Sequence, residues 1–413
     1  MAVPTVNAII NFSTGPSFAQ AMILDQGILG TNVLADSAAV IVDVSNQINR
    51  IETKRGRNAL IDQFQTGTLT LRIVDQNGDF NPQNPASPYF ELLTPMKKVQ
   101  ITATYSGVTY PIFAGFITSY VTTYPKEADS DVAITTIQAV DAFRLAQNAQ
   151  ISTVTGATAG DLSGTRINEI LDEIDWPASM RDVDAGLTTL QADPGTPRTS
   201  LAALETVTQS EYGALYVDAS GSFVFQDRAV TAGSIGATPT LFADDGSGIY
   251  YQDAAWVLND VLVFNKATIT RLGGSPQVAI NQDSIDKYFA HSYYLDGLLM
   301  QTDAVALDYA QAYVASRAET SIRVDAIVLD LYTPNYNAGI IAALDLDFFD
   351  PITVLTTQPG GSTLEKTLQI FGVANTITPN SFKTIFTTLE PVIDALILNN
   401  SIYGRLDYNV LSY

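Results

Sequence analysis

Hydrophobic and polar positions alternate with a period of two over much of the first third of the chain. Leu69, Leu71 and Ile73 are separated by threonine and arginine, a pattern typical of a strand with one buried and one solvated face. The Asn77-Gly78 turn that follows predicts a hairpin. The same alternation predicts further strands at 39–44, 99–105, 110–117 and 132–140.

The hydrophobic period changes in the middle of the chain. Four apolar residues at helical spacing predict one face of a helix: Ile167, Ile170, Leu171 and Ile174. Pro177 ends that helix. A second helix is predicted over 201–212, and a hairpin over 214–226. We therefore predict an α+β insert over about 141–235.

Strands return after residue 236. Thr302 predicts the N-cap of an alanine-rich helix near 303–319. A polar C-terminal tail is expected over 396–413. The strands predicted here are 257–270, 324–331, 352–357, 367–374 and 382–389.

Two regions share one order of strands and turns, 96–143 and 352–393. The matched segments are Ile352–Thr357 with Val99–Thr104, Ile370–Val373 with Phe113–Phe116, and Phe382–Leu389 with Val132–Val140. The sequence is thus predicted to be mainly β. We expect two related small β-barrel domains, 1–140 and 236–395, separated by the helix-containing middle region.

Composition narrows the functional classes. The 413 residues (44.4 kDa) carry 43 acidic and 21 basic side chains, a net charge of −22. This balance argues against binding a nucleic-acid backbone or an anionic membrane, because both require clustered basic side chains. At 46% hydrophobic and 15% charged residues, the chain has the composition of a folded protein.

The chain contains no cysteine, which excludes disulfides, thiol catalysis and cysteine-ligated metals. No apolar run approaches ~18 residues, so no transmembrane helix is predicted. The N-terminus lacks a basic region and an apolar core, and we expect synthesis in the cytosol without export by an ordinary signal.

Candidate catalytic groups are few. His291 is the one histidine, and its aromatic neighbours predict a packed or interface position. The Asp75–Asp79 turn departs from a calcium loop, because Ala86 stands where the twelfth-position glutamate is required. Two aspartate groups, 244–245 and 345–350, are expected from the acidic composition alone.

One dense basic cluster, Lys54–Arg57, is interpreted as a solvated turn or an interface ion-pair site. No phosphate-binding loop or nucleophile elbow is present in the sequence. We therefore predict no catalytic, cofactor-binding or metal residues, no cofactor and no enzymatic activity.

Several segments resemble minor tail proteins of long-tailed bacteriophages, specifically the tail-tip or baseplate hub family. The similar segments are Gly15–Leu34, Arg55–Leu69, Asn77–Pro82, Ala86–Tyr89, Leu93–Val99, Phe113–Ile117, Ile370–Val373, Ile377–Pro379 and Leu389–Pro391. They are packing and turn motifs, so the resemblance implies an architecture and no active site.

The resemblance implies a structural virion protein at the tail tip or baseplate, assembled in the host cytoplasm. Three copies would form a ring with pseudo-sixfold symmetry and a channel for DNA ejection. The implied partners are further copies of the chain, a distal tail protein or the tail tube, a spike or fibre protein, and a tape measure protein. Neither sequence-specific nucleic-acid binding nor membrane insertion is expected.

Three alternatives stay open at this point. A distal tail protein would form a hexameric ring, although one barrel per chain would suffice for six copies. A tail-associated cell-wall hydrolase would need a catalytic constellation that the sequence does not display. A receptor-binding module would use aromatic platforms supplied by the 19 tyrosines and 18 phenylalanines.

Overall fold

A computed structural model describes most of the chain. The described residues are 3–13, 15–16, 18, 40–58, 63–125, 132–233, 238–320, 322–332 and 337–390. Most of the predicted segment 15–34 and the predicted tail 396–413 lie outside them.

The described residues form mainly β-structure. The strands are β1 (Thr5–Asn11), β2 (Ile41–Asp43), β3 (Ile48–Asn58), β4 (Gln63–Asp75), β5 (Lys98–Tyr105), β6 (Val108–Thr123), β7 (Ala133–Val140), β8 (Gln150–Ile151), β9 (Arg181–Val183), β10 (Arg198–Thr199), β11 (Ala214–Val217), β12 (Phe223–Gln226), β13 (Thr240–Ala243), β14 (Asp253–Val257), β15 (Lys266–Arg271), β16 (Gln277–Ile280), β17 (Ser292–Leu298), β18 (Arg323–Asp330), β19 (Pro351–Thr357), β20 (Thr363–Thr378) and β21 (Ser381–Leu389). The helices are α1 (Phe143–Asn148), α2 (Ser163–Glu173), α3 (Ser200–Glu211), α4 (Arg228–Gly233), α5 (Gln282–Tyr288), α6 (Asp303–Arg317) and α7 (Asn337–Asp345).

The alternating pattern produces the strands as predicted. In β4 the side chains of Leu69, Leu71 and Ile73 are buried, while those of Thr68, just before Leu69, and Arg72, between Leu71 and Ile73, face solvent. The helices also follow their patterns: α2 buries three of its four predicted apolar positions, and the side chain of Thr302 caps α6.

Thirteen strands join in one sheet, in the order β14-β18-β21-β20-β3-β4-β7-β6-β5-β1-β2. Strand β19 pairs with β20, and β13 pairs with β19. One face of this sheet contributes to a hydrophobic core that also receives side chains from α1, α2 and α3.

The sheet contains the same arrangement of six strands twice. The first repeat is β3-β4-β7-β6-β5-β1, and the second repeat is β14-β18-β21-β20-β19-β13. Corresponding strands follow the same order along the chain. The repeats differ at one edge, since β1 pairs antiparallel with β5 whereas β13 pairs parallel with β19.

Backbone details recur at equivalent positions. Met96 and Phe349 both have a φ of 67°. Met96 precedes β5, and Phe349 precedes β19, the equivalent strand of the second repeat. The amide of Met96 donates to the Ile117 carbonyl at 2.6 Å, and that of Phe349 donates to the Ile370 carbonyl at 2.8 Å. A bulge follows each isoleucine, so the two repeats share their irregularities as well as their strands.

These registers confirm two of the three predicted matches and correct the third. Val99 is equivalent to Ile352, and Val140 to Leu389, as predicted. Ile370, however, is equivalent to Ile117 and not to Phe113. The predicted alignment slips by an even number of residues, which leaves every side chain on the same face of the sheet.

The two related small β-barrel domains stay a prediction. In the described residues, the pairings close neither repeat into a barrel, and β3 pairs with β20 to make one sheet of both repeats. Local alternation specifies which positions are buried, but it contains no information about which distant strand edges meet.

Two more predictions change. The Asn77-Gly78 turn exists, but it starts a long connection to β5 in place of a hairpin, because the Asp75 carboxylate binds the amides of Asp79 and Phe80. The strand predicted over 257–270 is interrupted. Its second part, β15, belongs to a separate three-stranded sheet, β16-β15-β17, which packs on α6 around its own apolar cluster.

Candidate functional site at the junction of the two repeats

The two repeats meet where β3 lies antiparallel to the second half of β20. Six residues of each strand pair in register, from Gly372 opposite Gly56 to Ile377 opposite Ile51. The first half of β20 pairs with β19 instead. The same side of the long strand β20 therefore pairs with β19 over its first half and with β3 over its second half. This lets the sheet continue from one repeat into the other.

Two glycines permit the closest approach of these strands. A Cβ atom on Gly56 would lie 2.7 Å from the Gly372 Cα and 2.9 Å from the Phe371 carbonyl oxygen. Gly56 also has a φ of +154°, which L-residues with side chains rarely adopt. The junction therefore requires glycine at residue 56 for both space and backbone conformation.

A buried cation ties the junction together. The guanidinium of Arg55, only 7% exposed, contacts both carboxylate oxygens of Asp347 at 3.0 and 3.1 Å. It also lies over the Phe348 ring, 4.9 Å from its centroid. The predicted solvated turn over Lys54–Arg57 is wrong, since these residues lie within β3, whereas an ion pair is present.

A row of polar side chains crosses three strands next to this ion pair. The Asn375 amide donates to the Thr53 hydroxyl at 3.2 Å and accepts from the Thr384 hydroxyl at 2.8 Å. All three residues are buried. Because each hydroxyl and amide finds a partner, the row fixes the register of β3, β20 and β21 at little desolvation cost.

The end of β7 adds a buried carboxyl. Asp141 accepts hydrogen bonds from the amides of Gly67 at 2.5 Å and Phe143 at 3.0 Å. Burial raises the pKa of Asp141 to about 7, against the lowering effect of those two amides and of the Arg55 charge. The carboxyl thus holds β4, β7 and the start of α1 together.

The aspartate groups serve local structure. Asp244 accepts from the amide and hydroxyl of Thr357, and Asp245 accepts from Ser247. Asp347 pairs with Arg55, and burial raises the pKa of Asp350. The negative charges of Asp347 and Asp345 add to the increase in pKa, so these three carboxylates lie near one another.

His291 lies beside the β15–β17 sheet, as a partly exposed residue. Its Nε2 is 3.1 Å from the Tyr288 carbonyl oxygen and 3.9 Å from the Asp260 carboxylate. In the described part of the chain, no group of three or more His, Cys, Asp or Glu side chains could hold a metal ion. Nor does any helix there have the length and apolarity needed to cross a bilayer.

A partly open cleft lies between the first repeat, α3 and α6. Its lining combines aromatic rings with one partly buried carboxyl, Glu205, whose pKa is raised by desolvation. The principal lining residues are Arg57, Gln63, Phe64, Phe143, Glu205, Tyr212, Tyr293 and Tyr309. Residues 59–62 lie outside the described residues.

Sequence reasoning missed the junction as a site. One signal was present, because an isolated glycine within an alternating strand indicates a close backbone approach. Gly56 and Gly372 both have this setting, but nothing in the local pattern shows that they face each other.

The fold is similar to that of two solved tail proteins, one of them from a prophage. The 43 kDa tail protein of prophage MuSo2 from Shewanella oneidensis is 12% identical, with a TM-score of 0.54 over 86% of this chain and 96% of that one. The tail protein of Neisseria meningitidis MC58 is 11% identical, with a TM-score of 0.54 over 94% and 97% of the two chains. The chain matches no protein-family model, and no curated protein matches its sequence.

The architecture is accordingly similar to that of solved tail proteins, in agreement with the resemblance predicted from the sequence. At these identities the likeness concerns the fold.

Proposed function

We propose that the chain is a structural hub protein of the phage tail tip or baseplate, without enzymatic activity. The observation that carries this proposal is the doubled six-strand repeat, joined through β3 and β20 into one sheet. A chain with two equivalent units can present six similar surfaces when only three copies assemble.

Three copies would then form a closed ring with pseudo-sixfold symmetry, in which the two repeats curve into related barrels. The sixfold face would receive the tail tube or a distal tail protein, and a threefold face would hold a spike or fibre. The proposed units are 1–140 and 236–395 for the repeats, 141–235 for the insert and 396–413 for the tail.

The net charge of −22 supports a passive channel for DNA. An acidic wall repels the phosphate backbone, so DNA would pass during ejection without adhering. A tape measure protein would occupy the same channel before ejection. A ring whose inner wall is basic would contradict this part of the proposal.

The mass of the purified protein by light scattering, together with class averages from electron microscopy, tests the ring. We expect about three chain masses and threefold particles with six similar lobes. A six-chain ring would support the distal tail protein instead. A monomer, even with tail partners added, would overturn the hub proposal, and turnover of purified cell wall would overturn the absence of enzymatic activity.

A further inference from the structure

The second half of β6 has one open edge. Residues Ser119–Thr123 pair with β7 on one side, but pairing with β5 on the other side ends at Phe116. No strand of the described residues occupies the remaining side. The equivalent residues of β20, Gly372–Thr376, are paired on both sides, by β21 and β3.

Strand β14 also has an edge with no partner strand among the described residues. It forms one end of the thirteen-stranded sheet and, within the described residues, pairs with β18 alone. Its equivalent in the first repeat, β3, pairs with β4 on one side and uses the other to bind β20. The chain therefore carries one junction that is filled internally and the two separate halves of a second.

We propose that β14 of one copy pairs with the second half of β6 in the next copy, as β3 pairs with β20 within the chain. Transferring the internal register places four pairs opposite each other, namely Tyr124 with Ala254, Thr123 with Ala255, Thr122 with Trp256, and Val121 with Val257. This contact rests on the proposed ring and names its subunit interface, a head-to-tail contact that must close to avoid filaments.

The chemistry of the two edges favours pairing. Strand edges that must stay free are normally blocked by charged residues or proline. The paired spans, Val121–Tyr124 and Ala254–Val257, contain neither. Asp253 and Pro125 would lie opposite each other just beyond the paired span.

The side chains of the proposed pairs also complement each other. In the single chain Val121 is 48% and Tyr124 56% exposed, which is high for residues of these types in a sheet. Opposite residues of an antiparallel pair project from the same face. Tyr124 would cover the small Ala254 on one face, and Val121 would meet Val257 on the other.

A groove accompanies the open edge of β6. It lies along the face that carries Tyr120, Thr122 and Tyr124, beside the connection 81–83. The Asn81 side chain donates to the Tyr124 hydroxyl at 2.7 Å and so holds that ring in place. In the proposed register Trp256 of the next copy lies opposite Thr122 on this face, while its indole N–H donates to the Thr356 hydroxyl of its own chain at 2.9 Å.

Engineered cysteines test this contact directly, because the chain has no cysteine of its own. Directly opposite residues of antiparallel strands lie within the Cα distance that a disulfide spans. We expect the double variant Val121→Cys/Val257→Cys to oxidise to covalent trimers on denaturing gels. Lys54→Cys/Ala374→Cys, the equivalent pair of the internal junction, should form its bond without a gain in mass.

Val121→Cys/Val278→Cys is the matched control, because Val278 is similarly exposed but lies on the separate three-stranded sheet. It should give no covalent trimer. If Val121→Cys/Val257→Cys stays uncrosslinked in a ring of three chain masses while the internal pair closes, the proposed contact is wrong and the hub function stands. Without any ring, both proposals fail.

A charged edge supplies an independent test. Val121→Lys should leave the thermal melt of the monomer unchanged, because this side chain is half exposed, and should abolish the ring in light scattering. Val278→Lys should leave the ring intact. A ring that persists in Val121→Lys would overturn the proposed contact.

Discussion

The two repeats have the same strand order but different surroundings. In the second repeat, the second half of β20 lies between β21 and β3. In the first repeat, the second half of β6 pairs with β7 alone among the strands that the structure describes. The fold therefore supplies the same strand edge twice, and β3 pairs with it in the second repeat.

The filled junction uses specific polar contacts, whereas the open edges do not. Arg55 and Asp347 form a buried ion pair at the filled junction, beside a glycine contact that admits no Cβ. The residues equivalent to Arg55 and Asp347 are Leu258 and Thr94, both uncharged. A contact made during folding thus carries charge and close packing, while the proposed contact between copies relies on exposed apolar edges.

Substitution of Gly56 should damage the filled junction most. Gly56→Ala places a Cβ against the Gly372 backbone and forces an alanine into a φ of +154°, which together should cost about 3–5 kcal/mol of unfolding free energy. Gly360→Ala, at a φ of +111° in open space, should cost about 1–2 kcal/mol through backbone strain alone. Equal losses in urea denaturation would show that the close approach is not what matters.

The acidic residues that follow β7 and β21, the last strands of the two repeats, differ in burial. Asp141 after β7 is buried, whereas its equivalent Glu390 after β21 is partly exposed and paired with Lys366. The folded-state pKa of Asp141 is raised to about 7, so the folded state binds the proton more tightly than the unfolded chain. This group's contribution to stability is therefore largest below the unfolded pKa and is lost as pH rises to about 7.

Urea titrations of wild type and Asp141→Asn between pH 4 and 7 measure this effect. Relative to Asp141→Asn, the wild type should lose stability with rising pH, by at most about 1.4 kcal/mol per pH unit. Arg55 is the charge that opposes the shift, and it is present in both proteins. Parallel pH profiles would contradict the raised pKa, and Glu390→Gln serves as the control at the exposed equivalent.

The ion pair of the filled junction should follow in size. Asp347→Asn leaves the guanidinium of Arg55 buried with a neutral partner, and we expect a loss of about 1–3 kcal/mol in unfolding free energy. Glu52→Gln removes the partner of Arg50 in an exposed pair on the same strand and should cost less than about 1 kcal/mol. Similar losses would mean that burial adds nothing to the junction pair.

Local chemistry explains how much of this molecule could be predicted from its sequence. Alternation gave β4, helical spacing gave α2, and Thr302 gave the start of α6, because each depends on neighbours within one element. The repeat was visible for the same reason. Its alignment slipped at Ile370 because an even shift preserves the pattern of buried and exposed residues.

Contacts between distant segments could not be predicted in this way. The pairing of β3 with β20 joins Gly56 to Gly372, and it depends on how the whole sheet twists and where β19 ends. The separate sheet of β15 was missed because its strands alternate like those of the repeats. The pairing that forms the candidate junction therefore could not be predicted from the sequence. The glycines that build it could be recognised as unusual residues within alternating strands.

The smallest expected loss of unfolding free energy is for Thr122→Ala at the open edge of β6, compared with Asn375→Ala in the polar row of the filled junction. Asn375→Ala strands the hydroxyls of Thr53 and Thr384 in a buried site, at a cost of about 1–3 kcal/mol. Thr122, the equivalent residue at the open edge, bonds only the Thr135 hydroxyl at 3.0 Å, and Thr135 keeps Asp75 as a partner. Thr122→Ala should therefore cost less than about 1 kcal/mol in the monomer.

Assembly of the ring should reduce the difference in free-energy cost between Asn375→Ala and Thr122→Ala. If β14 of a second copy covers the open edge, Thr122 becomes an interior residue, and its substitution should weaken the ring more than the monomer. The measurement compares Thr122→Ala alone with Thr122→Ala in the Val121→Lys background, which is expected to stay monomeric. The same small loss in both backgrounds would mean that the edge of β6 stays open to solvent in the assembled state.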